Sequence, residues 1–355
     1  MTTLVQREPK KVPTPERPWR PSFAQRLSNF GVAIAAVLLT YILVLVTPMK
    51  GLLPTLIFSG IFAIVLGYLK GFFARGTMAG RNNAVGVFLS LGMVIALIPI
   101  VSILYAVVSN GYKGLHKGLL FQDMSLAVAT DPIAQGGLKH AIVGTFIMVA
   151  VALAISLPLG ILTAVYLTEI KGPLSKPIRF LVQAMSGVPS IVAGLFILSA
   201  VVYTVTKSYS GLMGSLALTI LMIPTIARTS EEVLLLIPND LREAGVALGG
   251  TQWRTVAMVV VPAARSGLVT AMILGIARVA GETAPILLLT GGADMTNYNP
   301  FSGPMGTLPF YIWKSFFFGS PEAVTRGWAG LLVLLILVLL LFFLARSLST
   351  RKASR

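Results

Sequence analysis

The chain has 355 residues, of which 55% are hydrophobic and 11% are charged, and its formal net charge is +16. Soluble domains carry roughly 25% charged residues, so this composition excludes an ordinary soluble domain and indicates an integral membrane protein. The absence of cysteine excludes a disulfide framework and a thiol nucleophile, and two isolated histidines give no metal-site spacing. We therefore expect no metal and no cofactor in this chain.

The first 29 residues combine six basic side chains with several prolines and contain no apolar run. Such a composition is typical of disorder. The long apolar run that follows is too long for a signal peptide, and no small-residue cleavage site comes after it. We interpret residues 1–29 as a cytoplasmic tail that sets orientation and touches anionic lipid.

Eight apolar segments are long enough to cross a bilayer, whose hydrocarbon core of about 30 Å needs about 20 helical residues. They cover residues 30–48, 51–69, 84–109, 141–167, 180–205, 211–227, 268–290 and 327–345. Because the first two are nearly contiguous, residues 30–69 form either a tight hairpin or a re-entrant element, and we favour the hairpin. The predicted fold class is all-α and polytopic, with about eight transmembrane helices.

The distribution of basic residues predicts the orientation of these helices. With the N-terminus inside, twenty Lys and Arg residues fall on the cytoplasmic side and seven on the other, while Arg278 lies within a span. By the positive-inside rule both termini are cytoplasmic, including a basic tail at 346–355. The two long outer loops, 110–140 and 291–326, can hold structure of their own, and the aromatic run from Leu308 to Trp313 is expected at the membrane interface.

Residues 228–265 are too polar to span the membrane, yet they carry the signals of two helices. Asn239 can accept hydrogen bonds from the amides that open a helix, and Gly249 with Gly250 supplies a left-handed stop. Thr251 can cap a second helix that ends near Pro262. The first helix, of about nine residues and some 13 Å, has a size suited to a groove on a partner protein.

The seventh segment contains two ionisable residues, Arg278 and Glu282, although each costs about 2.5 to 3.5 kcal/mol inside a bilayer. Their spacing places them on one face of a helix, where they partly neutralise one another. Two interpretations remain: an ion pair that tolerates burial, or an anion site. The paired donors of a guanidinium match a tetrahedral oxyanion, and Glu282 can accept a hydrogen bond from hydrogen phosphate, which sulfate cannot provide at neutral pH. Gly281, Thr283 and Pro285 can loosen the helix beside the pair.

The fifth segment contains a run rich in Gly and Pro, from Ser186 to Gly194. Glycine lets helices approach closely and proline permits a bend, so packing is its default role. The hydroxyls of Ser186 and Ser190 are further candidate oxyanion ligands. The candidate substrate pathway therefore consists of Arg278, Glu282, Thr283, Ser186 and Ser190.

The polar loop resembles the EAA loop of permease subunits in binding-protein-dependent ABC importers. The acidic residue beside Ala and Gly, the glycine six residues on and the later Pro262 are similar to that motif, with Gly in place of its second Ala. The resemblance implies that a cytoplasmic ATPase docks on a coupling helix here, that Glu243 meets a basic residue of the ATPase, and that Gly249 lets backbone approach at the turn. The implied coupling residues are Glu243, Ala244, Gly245 and Gly249.

The Arg-x-x-Gly-Glu-Thr pattern at 278–283, together with the runs at 186–194 and 237–244, resembles the phosphate-specific branch of these permeases, the PstA type. That resemblance implies a MetI-like core of six helices over roughly 84–345, to which the hairpin at 30–69 is an addition. It also implies a multi-pass subunit of a bacterial-type plasma membrane that imports inorganic phosphate.

The same resemblance implies the partners of the chain. They are a second homologous permease of the PstC type, an ATPase dimer of the PstB type that holds ATP and Mg, and an extracytoplasmic phosphate-binding protein of the PstS type. The sequence has no G-x-x-x-x-G-K-[ST] phosphate loop, which agrees with ATP hydrolysis in a separate chain. The membrane explains the positive charge without a nucleic-acid partner.

Three alternatives stay open at this point. The substrate can be another oxyanion, such as sulfate, molybdate or phosphonate. The chain can be an ion-coupled secondary carrier or a channel, although the polar loop argues against that class. It can also be a membrane scaffold that senses phosphate without transporting it.

Overall fold

The computed structural model describes residues 23–48 and 51–350, and the predictions for residues 1–22 and 351–355 lie outside these ranges. Within them the regular secondary structure is helical, and the sole β-type pairing is an isolated bridge between Gly291 and Met305. The all-α prediction is confirmed.

The order of helices along the chain follows the apolar segments and the breaks between them. The helices are α1 (Phe23–Val46), α2 (Leu52–Arg75), α3 (Thr77–Gly111), α4 (Lys139–Val165), α5 (Ser175–Ser186), α6 (Ser190–Ile197), α7 (Gly211–Leu235), α8 (Asn239–Ala247), α9 (Gln252–Thr255), α10 (Val261–Ala263), α11 (Arg265–Val279), α12 (Ala284–Leu289), α13 (Leu308–Phe318) and α14 (Pro321–Thr350). π-helical turns extend α4 to Ile170 and α6 to Thr206, and another joins α9 to α10.

Six of the described helices are long and apolar enough to cross a membrane, and two bent pairs raise the possible number to eight. The single helices correspond to the first four, the sixth and the eighth predicted segments. Several are longer than predicted: α1 begins at Phe23 rather than at residue 30, and α7 continues to Leu235 rather than ending at residue 227. The chain is therefore a multi-pass membrane protein.

The fifth and seventh predicted segments are interrupted, and both breaks fall at the Gly- and Pro-containing runs where the sequence predicts that a bend or a loosened helix is possible. The fifth bends by 105° between Ser186 and Ser190, where Pro189 cannot continue a helix and restricts the residue before it. The seventh is interrupted after Val279, and α12 restarts with Pro285 in its first turn. The second bent pair instead joins residues 252–263 to α11 across a 71° bend.

The chain divides into two compact units, and the division falls at Ile103, inside α3. The predicted start of the permease domain at residue 84 therefore lies within the first unit. The first part of α3 belongs to the first unit because it packs closely on α2. A Cβ on Gly71 would lie 2.4 Å from the backbone oxygen of Ala79, so a small residue is needed where these helices meet.

The core of the second unit surrounds α7, which packs against α4 and α11. Ile226 of α7 is fully buried. A Cβ on Gly160 of α4 would lie 2.7 Å from Ile226 Cγ2, and one on Gly275 of α11 would lie 2.8 Å from Ile226 Cγ1. Because Gly160 and Gly275 have no side chain, both leave room for Ile226, and the backbones of α4, α7 and α11 can lie close together.

Two loops of the second unit, residues 115–138 and 290–307, are fastened to each other, and we call them the two-loop cap. Both carboxylate oxygens of Asp123 accept hydrogen bonds, one from Ser125 and the other from the amide (3.0 Å) and hydroxyl (2.8 Å) of Thr296. Burial alone would raise the pKa of Asp123, but these hydrogen bonds outweigh burial and hold it well below its usual range. The aromatic run predicted at the membrane interface forms α13, which follows the cap and packs on α14.

Candidate functional site

Arg278 and Glu282 form an ion pair at the interruption between α11 and α12. Arg278 stands in the last turn of α11 and donates from Nη1 to Glu282 Oε1. Glu282 lies in the non-helical stretch, where its amide still donates to the oxygen of Val279 at 3.1 Å. The predicted pairing of the two residues and the predicted loosening of the helix beside them are both confirmed.

The pair lies on a face of α11 that the rest of the unit leaves open. Ile276 and Val279 are buried against α7, whereas Leu274, Ala277 and Arg278 are exposed. The Arg278 side chain retains 45% of its accessible surface and the Glu282 side chain 12%. An arginine on an apolar helix is thus available to a group outside this chain, with a less exposed carboxylate beside it.

Of the other candidate pathway residues, Ser186 lies on α5, Ser190 on α6 and Thr283 at the start of α12. A Cβ on Gly194 of α6 would lie 2.8 Å from the Cα of Pro285, so α6 runs directly beside the start of α12. Ser190 is the first residue of α6, one turn before Gly194. The Ser186 hydroxyl donates to the oxygen of Val182 at 2.9 Å, within its own helix. Thr283 directly precedes α12.

The polar loop contains the short helix that the sequence predicts, α8, with nine residues from Asn239 to Ala247. Gly249 has a φ of +82° and ends it, and the Thr251 side chain accepts from the amide of Arg254 to open α9. The predicted capping role of Asn239 is wrong. Asn239 is already the first helical residue, and its side-chain oxygen accepts from Arg242 at 3.3 Å instead.

The predicted coupling residues lie around an exposed face of α8. Glu243 and Ala244 are exposed. Gly245 lies on the inner side, where an added Cβ would come within 2.5 Å of Thr255 Cγ2. The glycine that replaces the second Ala of the motif is therefore required by the contact between α8 and α9. Gly249 has open space around its Cα, so its role here depends on its backbone conformation.

An ion pair that the sequence analysis missed anchors α8 to the membrane helices. Arg242 donates from Nε to Glu169 Oε2 at 2.9 Å and from Nη2 to Glu169 Oε1 at 2.7 Å, a bidentate arrangement. Its guanidinium also donates to two backbone oxygens, that of Leu234 in the last turn of α7 and that of Ile237 just beyond this helix. These hydrogen bonds with Glu169 raise the pKa of Arg242 above its ordinary value. We call this arrangement the α8 anchor.

The α8 anchor ties one short helix to two long ones. Glu169 belongs to the π-helical extension of α4, its side chain is 5% exposed, and its backbone oxygen accepts from Gln252 at 2.6 Å. In the sequence, the signal for this ion pair is Glu169 itself, a lone carboxylate at the end of the fourth apolar segment. Its partner lies 73 residues further along the chain, and no local pattern connects the two.

A cleft of about 710 Å³ opens beside the α8 anchor. Its lining combines exposed Glu243 and Lys171 with apolar Val246 and Val256. Such a surface can receive a partner chain through both charge and apolar contact. Among the residues that the structure describes, no group of three or more His, Asp or Glu side chains is arranged to hold a metal ion.

The helical spans, together with the short polar helix α8 that the Arg242–Glu169 pair ties to them, define a polytopic membrane protein. The chain belongs to the family described as binding-protein-dependent transport system inner membrane component, whose sequence model matches residues 156–354. It is thus a permease component of a transport system, not an enzyme.

Relatives with known names agree with this family. The chain is 38% identical over 259 residues to the phosphate transport system permease protein PstA 1 of Mycobacterium tuberculosis (strain CDC 1551 / Oshkosh), covering 73% of this chain and 85% of that protein. It is 38% identical over 248 residues to the phosphate transport system permease protein PstA of Pasteurella multocida (strain Pm70), covering 69% and 85%. Among solved structures, a chain of the inward-facing MetNI methionine ABC transporter matches with a TM-score of 0.48 and 26% identity, covering 60% of this chain and 92% of that one.

Proposed function

We propose that this chain is one permease subunit of an ATP-driven phosphate importer and forms half of the translocation pathway. The observation that carries the proposal is the Arg278–Glu282 pair, held at a helix interruption on an open face of α11. The names of the relatives, phosphate transport permeases of the PstA type, support phosphate as the substrate.

The chemistry of the pair suits hydrogen phosphate. The Arg278 guanidinium stays charged at any working pH and presents paired donors to an oxyanion. Glu282 balances that charge when the site is empty and accepts the proton of hydrogen phosphate as a hydrogen bond. Because α12 restarts at Ala284, backbone groups at the interruption are free to face the same anion. Ser190 and Thr283 are additional candidate ligands beside the interruption, and Ser186 is a weaker one because its hydroxyl already donates within α5.

We expect a second chain to cover the open face of α11. An exposed arginine on an apolar helix is costly against lipid, so a partner subunit or a water-lined path must cover it. A second homologous permease of the PstC type supplies the other half of the pathway in our proposal. A phosphate-binding protein of the PstS type delivers the substrate from outside, and both termini of the present chain are cytoplasmic.

Energy enters through α8. A separate ATPase dimer of the PstB type holds ATP and Mg and docks in the cleft beside Glu243, Ala244 and Gly245. The α8 anchor then passes its movement to α4 and α7 through the hydrogen bonds of Arg242. Gly249 keeps the turn after α8 tight.

The test is phosphate uptake into vesicles that contain the assembled transporter, with ATP inside and the phosphate-binding protein outside. We expect Arg278→Gln to abolish uptake while assembly and membrane abundance are unchanged. Arg346→Gln, which removes an exposed arginine from the end of α14, is the matched control and should transport normally. Undiminished uptake by Arg278→Gln, or uptake that needs no ATP, would refute the proposal.

A further inference from the structure

The first unit contains a groove that no part of the proposed transport function uses. It has a volume of about 470 Å³ and lies among α1, α2 and α3, within residues 29–94. One end is polar, with Asn29, Lys70, Asn82 and Asn83, and the rest is mostly apolar. These residues precede the part of the chain that the family model matches, which begins at residue 156.

The polar end carries positive charge, and no carboxylate among the described residues of the first unit balances it. Lys70 Nζ donates to the neutral side-chain oxygen of Asn29 at 2.5 Å. Arg75 and Arg81 flank the tight turn between α2 and α3. The sequence contains no Asp or Glu between Glu16 and Asp123, so the first unit cannot neutralise these cations from its own described residues. A counterion has to come from outside these described residues.

The shape of the groove indicates which kind of molecule carries that counterion. Along α3 the lining runs from Asn82 to Val94, about 18 Å at 1.5 Å per residue. The polar end thus continues into an apolar channel between helices, with Val87 and Leu91 on one wall. A small inorganic anion would leave that channel empty, whereas a phospholipid fills both parts at once. Gly67 of α2 also lines the groove, and a Cβ there would lie 2.9 Å from Val87 Cγ2 of α3.

We propose that this groove binds one anionic phospholipid. Its phosphate pairs with the Lys70 ammonium and accepts hydrogen bonds from the amides of Asn82 and Asn83, and one acyl chain lies along Val87, Leu91 and Val94. Basic side chains at the end of a membrane helix attract anionic headgroups, and the amide donors add directional hydrogen bonds. The proposal is independent of the transport function and makes the first unit a lipid-binding element.

The experiment uses the full chain in phosphatidylcholine nanodiscs that contain a photoactivatable phosphatidylglycerol, with the label on an acyl chain. After illumination, mass spectrometry locates the crosslinks. We expect them in peptides that contain Val87, Leu91 and Val94. Lys70→Gln should lower the yield about fivefold, the effect of losing one basic residue near an anionic lipid surface, and Lys70→Arg should retain it.

Lys113→Gln is the matched control, because Lys113 also donates to an asparagine (Asn110, 3.5 Å) but lies outside the groove. Its crosslinking should equal that of the unaltered chain, and inorganic phosphate should not compete. Equal labelling of the groove by a phosphatidylcholine probe, equal yields in Lys70→Gln, or displacement by inorganic phosphate would each overturn the proposal. Retained labelling in Lys70→Arg shows that a loss in Lys70→Gln does not come from misfolding of the groove.

Discussion

At the scale of single residues, Arg278 and Glu282 have separate tasks in the proposed site. The guanidinium attracts any oxyanion, whereas the carboxylate favours one that brings a proton to share. Sulfate is fully ionised at neutral pH, so it meets the Glu282 carboxylate as a like charge without a hydrogen to donate. Affinity is thus assigned to Arg278 and selectivity to Glu282.

Glu282→Gln should therefore change selectivity more than capacity. The amide of Gln removes the repulsion and offers a donor to sulfate, so we expect sulfate to inhibit phosphate uptake at concentrations about tenfold lower, the equivalent of about 1.4 kcal/mol. Competition in the vesicle uptake assay measures this. Glu322→Gln, a glutamate at the start of α14, is the control and should leave sulfate inhibition as it was. An unchanged response to sulfate in Glu282→Gln would remove the selectivity role.

Local spacing decides which residues of the site could be predicted from the sequence. Arg278 and Glu282 are four residues apart, so helical geometry alone pairs them. The turn at Gly249 and the cap at Thr251 are equally local. Arg242 and Glu169 meet only because α8 folds back onto the end of α4, and a sequence read segment by segment contains no such information.

At the scale of helices, hydrophobic length predicts where spans lie but not whether they are straight. The bend after Ser186 and the break after Val279 fall inside apolar runs that are long enough to be single spans. The proline and glycine residues at both places indicate that the helix can break there. Whether it forms depends on packing, such as the contact of Gly194 with Pro285, which the sequence does not specify.

The contact between α4 and α7 yields a prediction about stability. Gly160→Ala places a Cβ 2.7 Å from Cγ2 of fully buried Ile226, so the two helices must separate or Ile226 must leave its rotamer. Overpacking of this kind costs about 1 to 3 kcal/mol. A lower melting temperature of the purified protein is the expected result. Gly92→Ala is the control, because a Cβ there meets no atom within 4 Å. Equal melting temperatures for both variants would contradict this account of the contact.

A second prediction at the scale of helices and loops concerns Asp123, whose carboxylate joins the two loops of the two-loop cap. Asp123→Asn weakens the hydrogen bonds to the amide and hydroxyl of Thr296, bonds to a charged acceptor that contribute about 1.5 to 3 kcal/mol each before solvent screening. We expect faster hydrogen exchange in residues 291–303. Asp131→Asn, whose carboxylate accepts from Val128 inside its own loop, should leave that exchange unchanged.

The pH dependence of the same contact follows from the depressed pKa of Asp123. A carboxylate whose pKa is lower in the folded than in the unfolded state contributes stability that is fully present above its unfolded pKa, about 3.9. That contribution is lost only as the pH falls further, toward the folded pKa. Protection of residues 291–303 should therefore be constant around neutral pH, and a loss near pH 7 would contradict the assignment.

At the scale of the whole molecule, movement of the proposed ATPase must reach the substrate pathway on α11. The first connection is the α8 anchor, since Arg242 contacts α4 through Glu169 and α7 through the backbone oxygen of Leu234. The second is the core, where α7 packs against α11 at Ile226 and Gly275. A displacement of α8 therefore reaches α11 through close contacts of α7, provided that the anchor holds.

Glu169→Gln tests this connection because it leaves the exposed face of α8 intact. The change removes one charge of a pair whose carboxylate is 5% exposed, and breaking such a pair typically costs about 3 to 5 kcal/mol. We expect the assembled transporter to keep its ATPase and to hydrolyse ATP, while phosphate uptake per ATP falls at least about tenfold. Glu243→Arg, on the exposed face of α8, should leave membrane insertion intact and should likewise uncouple transport from ATP hydrolysis. Glu232→Gln, which alters an exposed pair with Arg228 at 3.7 Å, is the control and should transport normally. If Glu169→Gln keeps full uptake per ATP, movement does not pass through the anchor, and the cleft beside α8 must act on the membrane helices by another route.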